Sequence, residues 1–121
     1  IDGFDRNARA GVLDTEPFHQ AVRARLSARG IMAVNLFGRS RGYKTSLERI
    51  VRAYDDRAIA FPSCDSGNVV AFGADGEPIA RTVDELRERA RVLKSETGLD
   101  LGPTVSRLEQ SGNLPGGHLL L

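Results

Sequence analysis

Apolar and polar positions alternate along this chain with two distinct periods, and the periods divide it into elements. Phe18, Ala21, Val22 and Leu26 fall on one stripe at helical spacing. Thr15 stands before that stripe as an N-cap, Glu16-Pro17 suits a first turn, and Gly30 supplies the stop. Ile31-Met32-Ala33-Val34-Asn35-Leu36-Phe37 is then a nearly unbroken apolar run of strand length. Such a run predicts a strand covered on both faces, as in a parallel sheet. Tyr43, Leu47, Ile50, Val51 and Tyr54 return to helical spacing, and packing is the expected role of both tyrosines. Ala58-Ile59-Ala60-Phe61-Pro62 and Asn68-Val69-Val70-Ala71-Phe72 read as two further strands. The turn-rich Ser63-Cys64-Asp65-Ser66-Gly67 joins them as a hairpin. A right-handed crossover is expected between the strands at 31–37 and 58–62.

The remainder reads as helical. Thr82-Val83-Asp84-Glu85 is a capping box, and Val83, Leu86, Ala90 and Leu93 form the stripe behind it, ended by Gly98. Pro103 and Gly112 bracket a last short helix, and Leu119-Leu120-Leu121 closes the chain as an apolar tip on a flexible tail. The pattern predicts an α/β fold, with residues 1–80 forming part of the α/β domain and residues 81–121 a helical appendage.

The first residues, Ile1-Asp2-Gly3-Phe4-Asp5, read as the end of a buried strand followed by two carboxylates on the loop beyond it. Ligands bind at that edge in open α/β sheets. Two carboxylates three residues apart can bind a cation, hold a ribose hydroxyl or accept a proton, and acids also favour turns for local reasons.

Composition narrows the partners. The 121 residues are 40% hydrophobic and 27% charged, ordinary values for a globular protein, and no run approaches a membrane span. Net charge is +1, and residues 1–57 carry 11 Lys/Arg against 7 Asp/Glu. That surplus is too small for a nucleic-acid footprint. Cys64 is the single cysteine, which suits a reducing cytoplasm and excludes an internal disulfide. His19 and His118 lack clustered acids and make no metal site; His19 is expected on a helix surface or half buried. Ser40, Ser63 and Ser66 lack a nucleophile-elbow context.

Three segments in order carry a family resemblance. They are Asp2-Gly3-Phe4-Asp5, then Leu13-Asp14-Thr15-Glu16-Pro17-Phe18, then Leu26 through Gly30-Ile31-Met32-Ala33-Val34-Asn35. A fourth is Phe61-Pro62-Ser63 followed by Asn68-Val69-Val70-Ala71-Phe72-Gly73. Together they resemble the spermidine synthase (polyamine aminopropyltransferase) family over roughly residues 1–75. The resemblance implies the carboxyl-terminal half of a doubly wound, Rossmann-like sheet of the S-adenosylmethionine-methyltransferase type, ending in an antiparallel hairpin and followed by helices. It implies aminopropyl transfer from decarboxylated S-adenosylmethionine, as co-substrate, to a diamine such as putrescine. Asp2 matches the proton-accepting aspartate and Asp5 the amine-binding one. Asn35 falls where the family has Gln, and Phe61 where it has Tyr.

Arg6-Asn7-Ala8-Arg9-Ala10-Gly11 replaces the family's Pro and Gly-Pro turn, and Phe61 lacks a hydroxyl. These departures describe a divergent, spermidine-synthase-like protein. No G-x-G-x-G loop occurs in the 121 residues, so the fragment alone is expected neither to hold the sulfonium donor nor to be active. A half-sheet would expose an apolar edge and face, which predicts a homodimer or larger assembly. The alternatives are a non-catalytic binding or assembly domain and a methyltransferase-like enzyme with another acceptor.

Overall fold

The structure is a computed structural model that describes residues 1–4, 10–38, 42–63 and 67–121. Asp5, Cys64, Ser40 and Ser66 lie outside the described residues. The chain divides into two compact units, Ile1–Glu77 and Pro78–Leu121.

In the first unit, a short 3-10 turn at Gly11–Asp14 leads into α1 (Glu16–Arg23). Thr15 caps α1 by accepting from the Phe18 amide at 3.4 Å, as the sequence predicts. β1 (Ile31–Phe37), α2 (Tyr43–Ala53), β2 (Ala58–Ala60) and β3 (Asn68–Ala74) follow. The sheet order is β1-β3-β2, with β3 antiparallel to both neighbours. β1 and β2 therefore run in the same direction, joined through α2, and the returning β3 is inserted between them. The α/β class holds.

The expectation that β1 is covered on both faces does not hold. Met32 and Val34 are buried while Ile31, Ala33 and Phe37 are exposed, the alternation of a strand packed on one side. The packed face carries Met32, Val34, Val69, Ala71 and Ala60 against Ile50, Ala53 and Tyr54 of α2 and its C-terminus. Val22, Leu26, Tyr43 and Leu47 complete this core. α1 and α2 thus share one face of the sheet.

Polar contacts pin the helices. Arg49 on α2 donates to the Asp14 carboxylate at 2.8 Å and to its backbone carbonyl at 3.0 Å. Arg23 on α1 reaches Asp75, Asp55 and the Ala53 carbonyl at the end of α2. Two residues after α2, Asp55 and Asp56, take left-handed backbone angles (φ 50° and 64°) to turn the chain into β2.

The second unit contains β4 (Ala80–Thr82), α3 (Val83–Thr97), α4 (Gly102–Gln110) and β5 (His118–Leu120). The Thr82–Glu85 capping box forms in full, and Gly98 ends α3 at φ 78°. The tail at 118–121 is corrected from flexible tip to strand. β5 pairs antiparallel with β4, and Ile79 and Leu121 exchange both backbone hydrogen bonds. Leu119 and Leu121 are buried and Leu120 is exposed, so the apolar tip packs by alternation.

Candidate active site

The carboxyl end of β1 places the polar groups. Val34 and Leu36 face the core, so Asn35 between them faces the other way. The Ile1 main chain lies along the free edge of β1. Its nitrogen donates to the Ala33 carbonyl, and its carbonyl accepts from the Asn35 amide at 2.9 Å. Bonding from one residue to two positions either side of Val34 is the slanted pattern of a parallel neighbour. Asp2 is thereby carried alongside Asn35, and the Asn35 Nδ2 donates to Asp2 Oδ1 at 3.2 Å. The Asp2 carboxylate remains exposed to solvent.

Phe61 shares the same row of the sheet. Asn35 pairs with Val70, and the Phe61 amide donates to the Val70 carbonyl at 2.9 Å. With strands about 4.8 Å apart, Phe61 lies roughly 10 Å from Asn35 across the sheet. Its ring packs on Phe72, with centroids 4.8 Å apart at 60°. Of the four sequence-predicted site residues, Asp2 and Asn35 are brought into contact, Phe61 lies farther along their row, and Asp5 is not described.

A cavity of about 390 Å³ adjoins this edge, lined in part by Ile1, Gly3, Phe4 and Asn35. Its other side holds a polar cluster that sequence reasoning missed. Asp14 Oδ2 accepts from Ser46 Oγ at 2.9 Å and from Arg49 at 2.8 Å. His19 is buried, not half exposed: it is 1% accessible. Burial pushes its imidazole below the ordinary histidine value of 6.5, the Asp14 carboxylate opposes that shift, and Arg49 adds to it. Asp14 and Arg49 are 35 positions apart, and no spacing rule in the sequence joins them. Tyr43, expected to pack, does so only in part and also borders the cavity. Among the described residues, no group of three His, Cys, Asp or Glu is arranged to hold a metal ion. Among the described residues, likewise, no helix is long and apolar enough to cross a membrane.

The fold and this edge define a mixed α/β protein with an exposed carboxylate, oriented by an amide, at the end of a strand. Comparison with known proteins narrows that class. The chain is similar over its whole length to the polyamine aminopropyltransferase of Chromobacterium violaceum, at 31% identity. It is 30% identical, again over its whole length, to the proteins of that name from Neisseria meningitidis serogroups A and B. It spans 46% of the length of each of these curated relatives. The sequence is spermidine-synthase-like throughout. No protein-family model matches the chain, and no solved structure does.

Proposed function

We propose that the whole protein transfers an aminopropyl group from decarboxylated S-adenosylmethionine to a diamine such as putrescine, and that this chain supplies the acceptor side of the site. The observation that carries the reading is the Asp2–Asn35 pair, an exposed carboxylate fixed by one amide hydrogen bond at the end of the sheet. The similarity of the entire chain to proteins named polyamine aminopropyltransferase supports it.

In the proposed reaction, a diamine binds with both ends charged and one amine must lose a proton before it can attack. Asp2 accepts that proton. The freed nitrogen lone pair forms a bond to the carbon beside the sulfonium, the carbon–sulfur bond breaks with its electron pair going to sulfur, and methylthioadenosine leaves. The sulfonium is already a good leaving group, so positioning and charge supply most of the acceleration. Asn35 holds the Asp2 carboxylate in orientation, Phe61 offers an apolar wall to the methylenes, and Asp5 pairs with an ammonium.

In this reading, residues 1–80 are part of the α/β domain and 81–121 its appendage. The parallel contact of Ile1 with β1 and the inserted antiparallel β3 support a doubly wound, Rossmann-like sheet ending in a hairpin. The donor binds to residues outside this chain. Exposed Ile31 and Phe37 on the open sheet face support self-association, and the expected compartment is the cytoplasm.

The test is methylthioadenosine release by the full-length protein with putrescine, wild type against Asp2→Asn. A positioned proton acceptor contributes about 10²–10⁴-fold, so turnover should fall at least about 100-fold with the fold intact. Turnover within a few fold of wild type would remove Asp2 from this role.

A further inference from the structure

The proposed reaction needs the Asp2 carboxylate at a fixed point, and its own bonding supplies little of that. Among the described residues it is held by one contact, the 3.2 Å hydrogen bond from Asn35, and it stays exposed to solvent. The next residue adds a second restraint. A Cβ on Gly3 would come within 2.5 Å of Leu13 Cδ1, so the main chain at Gly3 lies directly against the Leu13 side chain. Asp2 is thus tied to the sheet through Asn35 and backed, one residue on, by Leu13.

Leu13 belongs to the 3-10 turn Gly11–Asp14, none of whose residues is buried. Packing alone cannot fix so short and exposed a turn, and its anchor is Asp14. One nitrogen of the Arg49 guanidinium donates to the Asp14 carboxylate at 2.8 Å and to its carbonyl at 3.0 Å. Ser46 Oγ donates to the same carboxylate oxygen at 2.9 Å. Holding the main chain and the side chain of one residue together sets the direction of the turn as well as its place. Ser46 and Arg49 lie three positions apart, on one face of α2. Ile50 beside Arg49 is fully buried, which roots that helix in the core. The side chains of the Arg49–Asp14 pair are 34% and 25% exposed, against 56% and 34% for the Arg52–Glu16 pair that ties α2 to α1. The pair that reaches the turn is the better shielded of the two.

We propose that Arg49 is a positioning residue for the acceptor edge, acting through Asp14, Leu13 and Gly3 on the placement of Asp2. The inference rests on the proton-acceptor role proposed for Asp2 and adds the element that keeps the carboxylate aimed at the amine. Arg49 itself touches neither substrate nor reacting atoms in this assignment.

Kinetics of the full-length protein with butane-1,4-diamine test this. Displacing a reacting group by about 1 Å can cost on the order of 10²-fold, so kcat should fall about 10- to 100-fold in Arg49→Met, while KM for the amine stays within about threefold. Both acceptors are reached by one nitrogen, which an ammonium can replace, so Arg49→Lys should recover most of the loss. Leu13→Ala breaks the relay at a half-buried side chain and leaves the ion pair intact, so it carries the same readouts if Arg49→Met does not fold. It should lower kcat likewise, and the double variant should lose little more than either single one. Arg52→Met, which removes the neighbouring helix tie, should keep the wild-type kcat. A kcat within about twofold of wild type in either folded variant, additive losses in the double variant, or an equal loss in Arg52→Met overturns the proposal. A second readout is independent of turnover. In the free protein, the Asn35 side-chain amide signal in nitrogen–proton correlation spectra should move in Arg49→Met and in Leu13→Ala, and stay in place in Arg52→Met. An Asn35 signal unmoved in both relay variants overturns the proposal. If Asp2→Asn turns over like wild type, the acceptor reading fails, and the Asn35 signal alone then decides whether Arg49 holds this edge.

Discussion

Replacing Arg23 by Met should loosen the first unit at the point where three of its elements meet. The guanidinium reaches Asp75 at the end of β3 at 2.5 Å and Asp55 at 2.6 Å. It also donates to the carbonyl of Ala53 at 3.0 Å. Ala53 is the last residue of α2, and the final carbonyls of a helix have no partner within it. The cation therefore satisfies an orphan acceptor and sits favourably at the negative end of the helix dipole.

The two ion pairs are partly screened. The Asp55 side chain is 74% exposed and that of Asp75 37%, so each pair is worth roughly 0.2–1 kcal/mol. The part-buried bond to Ala53 adds about 1.5 kcal/mol, the lower end for a charged donor. Met retains the aliphatic stem, so lost packing contributes little. The expected loss is about 2 kcal/mol, or roughly 10 °C in melting temperature for a unit of this size. Urea unfolding of wild type, Arg23→Met, Asp75→Asn and the double variant should give a coupling energy of about 0.5–1 kcal/mol for the Arg23–Asp75 pair. Raising salt from 0.05 to 0.5 M should shrink the coupling and leave most of the Ala53 contribution. A total loss under about 0.5 kcal/mol, or a coupling indistinguishable from zero at low salt, would refute this account of Arg23.

Two other outcomes are expected. A Cβ on Gly73 would lie 2.9 Å from the ring of fully buried Tyr54, so Gly73→Ala should cost about 1–3 kcal/mol by overpacking; calorimetry showing an unchanged melting temperature would contradict it. The folded-state pKa of His19 is depressed, so the unfolded chain binds more protons as pH falls through about 6.5, and stability contributed by the neutral ring is present above that pH and lost below it, down to the folded pKa. Denaturation midpoints at pH 7.5, 6.5 and 5.5 should fall less steeply in His19→Phe than in wild type, and equal slopes would exclude His19 as the source.

Local signals were readable wherever they acted over a few residues. Thr15 and Thr82 cap the helices they were expected to cap, because a hydroxyl accepting from an amide three residues on needs no tertiary partner. The strand at 31–37 has the predicted limits, since an apolar run between Gly30 and Gly38 has few other uses. What escaped was non-local. β5 pairs with β4 nearly forty residues away, and three leucines after Pro-Gly-Gly carry no sign of that partner. The insertion of β3 between β1 and β2 is likewise a choice among sheet positions that alternation cannot make. In the site, the resemblance pointed to Asp2, Asn35 and Phe61, whereas Asp14 and His19 became notable only through burial against α2, where Ser46 and Arg49 lie.

That insertion ties the fold to the proposed chemistry. Gly73 pairs with Met32 of β1 and with Ala58 of β2, and only a glycine leaves room there for the Tyr54 ring. Placing Gly73 under Tyr54 sets the register of β3, and Val70, three residues earlier, then falls on the opposite face between Asn35 and Phe61. A slip of one residue would put Ala71 opposite Asn35 and turn the side chains of β3 to the other face. The buried tyrosine–glycine contact thus specifies which residues share a row with Asp2. The Gly73→Ala substitution therefore bears on more than stability. Where the variant still folds, displacement of β3 should alter the apolar wall proposed at Phe61 and raise KM for the proposed diamine acceptor, while the Asn35 bond to Asp2, made on the far edge of β1, keeps the proposed proton acceptor in place.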